Sequence, residues 1–339
     1  MENGRAGLKK IDTASRIFEE ICRCGKVSRS DVARSLSLSL PTVCSCVEVL
    51  FEEDLVRLSP GPSFGGRPSE TVSPADLPIL AVTVDGESCK FSAFDLMGTE
   101  TLSPFIRPFI PLDFEDTVSA YKKQLSLDGI RGERLSFSAV VLISNGDNGL
   151  NAADGTPLCR LFSPRIFVNC NVDRLAAETV LSRVNYDKRL FYCSVGHKGV
   201  KAAVYDRANG ANHPAPVSLR SSHGTAPARV FSLCKNGDDI AEELARMILN
   251  PLLATSPDAV VIETADTLFS TASVKRLRLI LTEISETADF VLPEFISVSR
   301  NNAQIVRMAL ALSRRELVCK AYDDFETNVS RRIVREGSR

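Results

Sequence analysis

The chain has 339 residues, of which 44% are hydrophobic and 24% are charged, and its formal net charge is −1. This composition is typical of a soluble globular protein with two or three compact units. The near balance of charge excludes a protein that attracts nucleic acid through its overall charge, so any DNA contact must depend on local placement of cations.

Membrane and secretion signals are missing from the sequence. No apolar run is long enough to span a bilayer, and residues 1–13 lack the apolar core of a signal peptide. The ten cysteines are scattered, which favours reduced thiols. The closest pairs, Cys22/Cys24 and Cys44/Cys46, are separated by one residue, whereas zinc ligands are usually separated by roughly two to four. We therefore predict a cytoplasmic protein without a metal site.

The N-terminal region predicts three short helices. Thr13–Cys24 has the apolar spacing of the first helix, and a second begins at Ser30-Asp31, where either polar side chain can cap the helix. The third helix follows a turn at Ser37-Leu38. Ser39 is its predicted cap, and Pro41 is tolerated because it lies in the first turn.

The third helix has two different faces. Its inward residues are predicted to be Val43, Cys46, Val47 and Leu50. Its outward residues, Thr42, Ser45 and Glu48, are mostly small and polar. A recognition helix needs such a slim face to enter the major groove, where short hydroxyl side chains reach phosphates or base edges.

A hairpin is predicted directly after these helices. Leu55–Leu58 reads as one strand, residues 59–66 read as a loop, and Glu70–Val72 reads as the returning strand. Such a wing places Arg67 where it can enter a minor groove or contact phosphate. The alternative is a helical pair that caps a larger domain without binding DNA.

The candidate contacts to double-stranded DNA are residues at the start of the third helix and two arginines outside it. They are Arg29, Ser39, Pro41, Thr42, Ser45 and Arg67.

After a linker predicted at Ser73–Pro78, strands alternate with helices. The predicted strands are Ile79–Gly86, Lys90–Leu96, Phe105–Ile110, Phe137–Ile143, Arg165–Val168, Leu190–Val195, Val200–Tyr205, Ala259–Ile262 and Phe295–Val298. The predicted helices are Asp116–Leu127, Asp173–Val184, Asp238–Leu253, Ser273–Thr287 and Asn302–Leu317. Residues Asn209–Ala228 read as a loop, and Ser330–Arg339 reads as a frayed basic tail. This alternation predicts an α/β fold of two lobes.

The order of these features resembles the ROK family, which contains bacterial sugar kinases and sugar-responsive transcriptional repressors. The resemblance covers nearly the whole chain and is strongest in SRSDVARSLSLSLPTV at residues 28–43, FGGRPSE at 64–70 and AFDLMGTE at 93–100. It implies an N-terminal winged helix-turn-helix over residues 1–76 and a two-lobed, actin-like ATPase (ROK-type) fold behind it. The lobes are predicted at 77–190 and 191–320, and a basic tail at 321–339.

The catalytic motifs that the resemblance implies are altered in this chain. Glu87 stands in the first phosphate loop, where the family has glycine because backbone must approach phosphate closely. Asn169-Cys170 stands where the kinases have an Asn-Asp pair, and Glu263-Thr264 stands for a Gly-Gly near the nucleotide. In the second glycine loop, residues 196–203, bulky and charged side chains replace glycines. The family's zinc motif is missing. We therefore predict no catalytic residue and no cofactor.

Three functions are compatible with the sequence. The first is a homodimeric DNA-binding transcriptional regulator, a repressor, whose inactive kinase-like domain senses a sugar or other small molecule. Asn169 is then the candidate ligand contact, with capping of the following helix as its structural alternative. The second is an active ATP-dependent sugar kinase with an accessory head. The third is an assembly module whose head binds protein.

Overall fold

A computed structural model describes most of the chain. The described residues are 2–61, 70–84, 88–128, 137–144, 156–172, 175, 189–196, 199–206, 215–217, 219, 234, 236–264, 269–288, 290–299 and 301–336. The chain forms two compact units: Met1–Val172 with Val306–Arg339, and Asp173–Ile305.

The first unit begins with a small helical head. Its elements are α1 (Glu2–Cys24), β1 (Val27–Ser28), α2 (Arg29–Leu36), α3 (Leu40–Glu52), β2 (Val56–Pro60) and β3 (Glu70–Pro74). The strands form an antiparallel sheet in the order β1-β3-β2, in which Val72 lies opposite both Val27 and Leu58. The predicted three helices and two wing strands are therefore present.

Several boundaries in the head differ from the sequence prediction. Helix α1 begins at Glu2 rather than Thr13, and β2 spans Val56–Pro60 rather than Leu55–Leu58. Helix α2 begins at Arg29, because the Ser28 hydroxyl accepts a hydrogen bond from the Asp31 N–H and caps the helix two residues earlier than expected. Strand β3 continues through Pro74, since Val56 pairs with it. The predicted linker is thereby reduced to residues 75–78.

A five-stranded sheet follows within the same unit. Its strands are β4 (Ile79–Val84), β5 (Ser88–Phe94), β6 (Phe105–Pro108), β7 (Ala139–Ser144) and β8 (Ile166–Asn171), in the order β6-β5-β4-β7-β8. A 3-10 turn at Pro111–Asp113 leads into α4 (Phe114–Leu127), and α5 (Thr156–Phe162) was not predicted. Pro108 ends the edge strand, as expected for a residue that lacks an N–H group. The rings of Phe91 and Tyr121 stack between sheet and helix, with centroids 4.8 Å apart.

The second unit contains another five-stranded sheet. Its strands are β9 (Arg189–Gly196), β10 (Gly199–Asp206), β11 (Ala215–Val217), β12 (Ala259–Thr264) and β13 (Glu294–Ser299), in the order β11-β10-β9-β12-β13. Helices α6 (Gly237–Thr255) and α7 (Thr271–Ala288) pack on it. Strand β11 lies inside the segment predicted as a loop. Most of the helix predicted at Asp173–Val184 lies outside the described residues.

The two large sheets have the same topology. In each, three strands form an antiparallel meander and two further strands run parallel to the first. The corresponding strands β7 and β12, the fourth in each sheet, both begin with Ala-Val-Val, and both are mostly buried. This duplication, together with the winged head, agrees with the predicted architecture of a winged helix-turn-helix followed by a two-lobed α/β fold.

The last helix, α8 (Asn302–Glu336), is longer than predicted. It continues past Leu317 because its next turns are apolar on one side. The buried residues there are Leu317, Val318, Ala321 and Tyr322. Tyr322 lies beneath Lys10 of α1, whose ammonium group is 5.2 Å from the ring centroid, and beside Cys46 of α3. Residues 321–336 are thus helical, and Tyr322 belongs to the core of the head.

No single helix in the described ranges is long and apolar enough to cross a membrane. The pair α2 and α3 passes the same test of length and composition, but it is bent by 120°.

Removing the Tyr322 ring should destabilise the head. We expect Tyr322→Ala to lower the free energy of unfolding by about 3 kcal/mol, because the ring is buried and the cavity left behind collapses only in part. Asp323→Ala, on the exposed side of the same turn, is the control and should change stability by less than about 0.5 kcal/mol. Urea unfolding followed by circular dichroism measures both. Equal midpoints for the two variants would contradict the placement of Tyr322.

Candidate nucleic-acid interface

Helices α2 and α3 form a helix-turn-helix. The turn is made by Ser37, which adopts the left-handed conformation (φ 53°), and by the Leu38 N–H, which bonds to the Ala33 carbonyl at 2.9 Å. The resulting 120° bend matches the angle between helices in this motif. The second helix of such a pair is the one that reads DNA.

The start of α3 is capped as predicted. The Ser39 hydroxyl accepts a hydrogen bond from the Thr42 N–H at 3.3 Å, and the two hydroxyl groups lie 2.7 Å apart. Pro41 occupies the first turn. This turn is exposed and contains no acidic residue, so the positive end of the helix dipole is not neutralised within its own turn.

The two faces of α3 are also as predicted. Val43, Cys46, Val47 and Leu50 are buried. On the opposite face Thr42, Ser45 and Glu48 are exposed. Leu40 and Phe51 are about half exposed as well, at 48% and 47%, and the sequence pattern did not single them out. The exposed face is therefore slim at its N-terminal end and bulkier at its C-terminal end.

Helix α3 itself has no lysine or arginine. The nearby cations that the structure describes belong to other elements. Arg34 of α2 is 80% exposed and pairs with Asp31 at 2.9 Å. Arg57 of β2 pairs with Asp76 at 2.6 Å. Cations for any contact with phosphate therefore lie on the elements that flank α3, not on α3 itself.

Arg29, a predicted DNA contact, has a structural partner. Its guanidinium pairs with Glu70 of β3 at 2.8 Å and is only 20% exposed. Its Nε is buried and has no hydrogen-bond partner among the described residues. Arg29 therefore ties the first turn of α2 to the wing strand, a role that sequence reasoning missed.

The wing strands are joined by side chains as well as backbone. The Thr71 hydroxyl donates to the Ser59 carbonyl at 3.0 Å. The tip of the wing, residues 62–69, lies outside the described part of the chain, and it includes the predicted contact Arg67.

Glu20 holds the first two helices of the head together. Its buried carboxylate accepts hydrogen bonds from Arg23 at 2.6 and 2.8 Å and from the Ser35 hydroxyl of α2 at 2.6 Å. The hydrogen bonds from Arg23 and then Ser35 lower the pKa of Glu20 from 4.5 to about 2. Since Ser35 lies in the last turn of α2, this carboxylate fixes the orientation of α2 relative to α1.

The residues implied by the kinase resemblance are only partly described. Asn169 is exposed in β8, where it lies opposite Leu142 of β7, and its neighbour Cys170 is buried. Glu263, near the end of β12, is 2% exposed and accepts a hydrogen bond from the Ser194 hydroxyl at 3.0 Å. The loop of residues 85–87 lies outside the described residues, as does His197.

Metal ligands are not clustered in the described ranges. No group of three or more His, Cys, Asp or Glu side chains there could hold an ion. His213 and His223 fall outside those ranges.

The Glu20 contacts predict a pH-dependent contribution to stability. We expect Glu20→Gln to lower the free energy of unfolding by about 1 kcal/mol at pH 7. A carboxyl group whose pKa is lowered on folding stabilises the protein above its unfolded pKa and loses that contribution as pH falls toward its folded pKa. The difference from the parent protein should therefore shrink as pH drops below 4.5 toward 2. Urea midpoints at pH 7 and in acid check this, with Glu48→Gln as the exposed control; a difference independent of pH would contradict it.

Comparison with known proteins identifies the fold. No family model and no curated protein matches the sequence. Among solved structures, a ROK family transcriptional regulator that is a homologue of the E. coli MLC protein has a TM-score of 0.59 and 14% identity, over 93% of this chain and 99% of that one. A ROK family protein from Streptococcus pneumoniae, solved with sucrose, has a TM-score of 0.48 and 12% identity, over 71% and 99%.

A ROK family glucokinase from Streptomyces griseus, solved with glucose and AMPPNP, also has a TM-score of 0.48, with 11% identity over 70% of this chain and 99% of that one. The likeness to the regulator extends over the head as well as the two large sheets, since it covers 93% of the chain. This chain has the fold of a ROK family transcriptional regulator.

Proposed function

We propose that this chain is a ROK family transcriptional regulator, a repressor, that binds double-stranded DNA as a homodimer. The observation that carries the proposal is the capped, exposed N-terminal turn of α3 in a helix-turn-helix with a wing beside it. Ser39, Pro41, Thr42 and Ser45 are the proposed contacts on α3, and Arg29 and Arg67 flank it. A cytoplasmic location is part of the proposal and is supported by the scattered spacing of the ten cysteines in the sequence.

The shape and chemistry of α3 support insertion into the major groove. That groove is about 12 Å wide and accepts one helix, whose N-terminal residues contact base edges. Thr42 and Ser45 are exposed hydroxyl residues three positions apart, so they lie on one helix face. Hydroxyl groups donate and accept hydrogen bonds, which suits contact with several base edges.

The charge of the head supports binding by a dimer. With no cation on α3, one head neutralises few phosphates, and affinity for DNA rises with the number neutralised. Two heads related by two-fold symmetry double those contacts and read two half-sites. We therefore propose that the kinase-like part of the chain joins two copies.

The proposed functional domains keep the predicted head of residues 1–76, whereas the lobes are proposed to follow the two compact units instead of the predicted 77–190 and 191–320. The first lobe comprises 77–172 with 306–320, and the second comprises 173–305. Residues 321–336 are assigned to the head, because Tyr322 is buried beside Cys46 and Lys10.

The kinase-like part is proposed to have no catalytic role. Cys170 stands where the resemblance implies the carboxylate that accepts the sugar proton, and it is buried. Glu263 stands where the resemblance implies glycine beside the nucleotide. A buried carboxylate there disfavours the approach of phosphate through charge repulsion.

A small-molecule effector is proposed for the first lobe. Asn169 is exposed near the carboxyl end of β8, and ligands of α/β sheets bind outside the carboxyl ends of parallel strands. An amide side chain both donates and accepts hydrogen bonds, which suits sugar hydroxyls. A sugar is the effector class that we propose to screen first.

The decisive experiment is recovery of DNA by the purified full-length protein. Sheared DNA of the source genome is incubated with tagged protein at moderate salt, and the bound fragments are sequenced. Enrichment of a two-part motif supports the regulator. Uniform, salt-sensitive binding or no binding would contradict it and favour the head as a protein-binding module.

Removing one hydroxyl from α3 should weaken operator binding. We expect Thr42→Val to reduce affinity for the enriched motif about tenfold, as for loss of one base or phosphate contact. Thr327→Val, an exposed threonine of α8 that likewise bonds within its own helix, is the matched control and should leave affinity unchanged. Fluorescence anisotropy with a labelled duplex measures both; equal affinities for the two variants would remove Thr42 from the contacts.

Nucleotide should not stabilise the protein. We expect millimolar Mg-ATP to leave the melting temperature unchanged and no sugar to be phosphorylated, because Glu263 stands where the resemblance implies glycine beside the nucleotide. A ligand at about one hundred times its Kd would add about 2.7 kcal/mol to the stability. A rise in melting temperature of several degrees, or turnover of any sugar in a coupled assay, would instead favour the kinase.

A further inference from the structure

We infer that Arg314 is a positioning residue that locks the head to the first lobe and so fixes the half-site spacing that the dimer reads. This inference rests on the proposed function. Arg314 lies on α8, far along the chain from α3, and it is not a proposed DNA contact.

The guanidinium of Arg314 joins three separate segments of the first unit. Its Nε and Nη2 donate to the two carboxylate oxygens of Glu19 at 2.7 and 2.8 Å, and its Nη1 donates to the Leu96 carbonyl at 3.1 Å. Glu19 belongs to α1 of the head, and Leu96 belongs to the turn after β5 of the first lobe. The fixed fork of an arginine suits this two-oxygen geometry, which a lysine cannot reproduce.

This contact is shielded from water. The Arg314 side chain is only 12% exposed and Glu19 is 38% exposed, so the pair is screened less than an ordinary surface ion pair. Beside it, Gly25 at the end of α1 is close to Met97 of the same turn, since a Cβ on Gly25 would lie 3.3 Å from the Met97 sulfur. The end of α1 therefore rests directly on the lobe.

A second link holds the recognition helix itself. Arg165, which directly precedes β8, donates from Nη1 to the Glu53 carbonyl at 3.0 Å. Glu53 is the C-terminal cap of α3. Thus α3 is connected to the first sheet at the end opposite to its proposed DNA contacts.

The connecting segment between head and lobe is also held at both ends. The Ala75 N–H donates to the Leu55 carbonyl of the head at 3.0 Å, and the Pro78 carbonyl accepts from the Ser138 N–H of the lobe at 2.9 Å. A flexible tether would leave these groups to water. With the two arginine links, these bonds fix the direction in which α3 faces.

A fixed head reads only one geometry of DNA. Each added base pair rotates a half-site by about 35° around the duplex, because one turn contains about 10 base pairs. Two locked heads then match one spacing, whereas heads on loose tethers follow the half-sites around the helix. Removal of Arg314 should widen the set of accepted spacings without changing the motif itself.

The test measures spacing and half-site affinity separately. The full-length protein is offered duplexes that carry two copies of the genome-derived half-site, separated by every spacer from 0 to roughly 15 base pairs. We expect the parent protein to prefer its best spacer about tenfold over spacers that differ by two base pairs, and Arg314→Ala to reduce that preference to about twofold. Affinity for a duplex with a single half-site should not change.

Matched variants separate positioning from general stability. Arg315→Ala removes the neighbouring, 56% exposed arginine, which lies 3.9 Å from Asp12, and should keep the sharp preference. Arg314→Lys should behave like Arg314→Ala, and Glu19→Gln should give an intermediate preference. Thermal unfolding of every variant identifies any that fail to fold.

The outcomes distinguish this inference from the proposed function. An equally sharp preference for one spacer in the parent protein and in folded Arg314→Ala overturns the inference and leaves the proposed function intact. A parent protein that accepts many spacers has the same consequence. Equal loss of affinity for single and paired half-sites also overturns it, because that pattern indicates a stability effect. Absence of any half-site from the genomic selection refutes the proposed function, and the inference fails with it.

Discussion

The small size of the head is the constraint on which its proposed function depends. A domain of roughly 70–80 residues rarely buries enough apolar surface to be very stable alone. Here the missing surface comes from the other end of the chain, where Leu317, Val318, Ala321 and Tyr322 of α8 are buried. The inner face of α3 meets this helix through Cys46 and Tyr322. The proposed DNA-binding surface therefore depends on side chains that follow both lobes in sequence.

The two large sheets keep their shape because their stability lies in strands, whereas a kinase's chemistry lies in loops. Residues Ala139–Ser144 of β7 are all buried, as is most of β12. Buried strands of this kind can keep their packing when the sequences of the connecting loops change. Glu263 illustrates the difference: the sheet accommodates this buried acid, which accepts a hydrogen bond from Ser194, at a position where the family resemblance implies glycine. On the proposed function, the fold is kept without the kinase activity, so function must be argued from the site.

Sequence reasoning predicted the elements whose pattern is local. The cap at Ser39, the buried face of α3 and the two strands β9 and β10 follow from spacing and turn chemistry. The cap at Ser28 was missed, although Asp31 follows it by three residues, a spacing typical of a capping box. Contacts between distant segments were not visible: Arg29 with Glu70, Arg165 with Glu53, and Arg314 with Glu19 each join residues that only the folded chain brings together. The full length of α8 was not predicted, because the residues that cover its apolar side lie far away in the sequence.

The lack of cations on α3 has a consequence for how such a regulator would search a genome. Neutralisation of phosphates supplies nearly all affinity for DNA of arbitrary sequence. A reading helix that carries Glu48 and Glu52 but no lysine or arginine adds little to that affinity. On the proposed function, the protein slides only briefly on bulk DNA and spends more of its time in solution. Occupancy of its operator then follows the concentration of free protein closely, so the bound state responds quickly when that concentration changes.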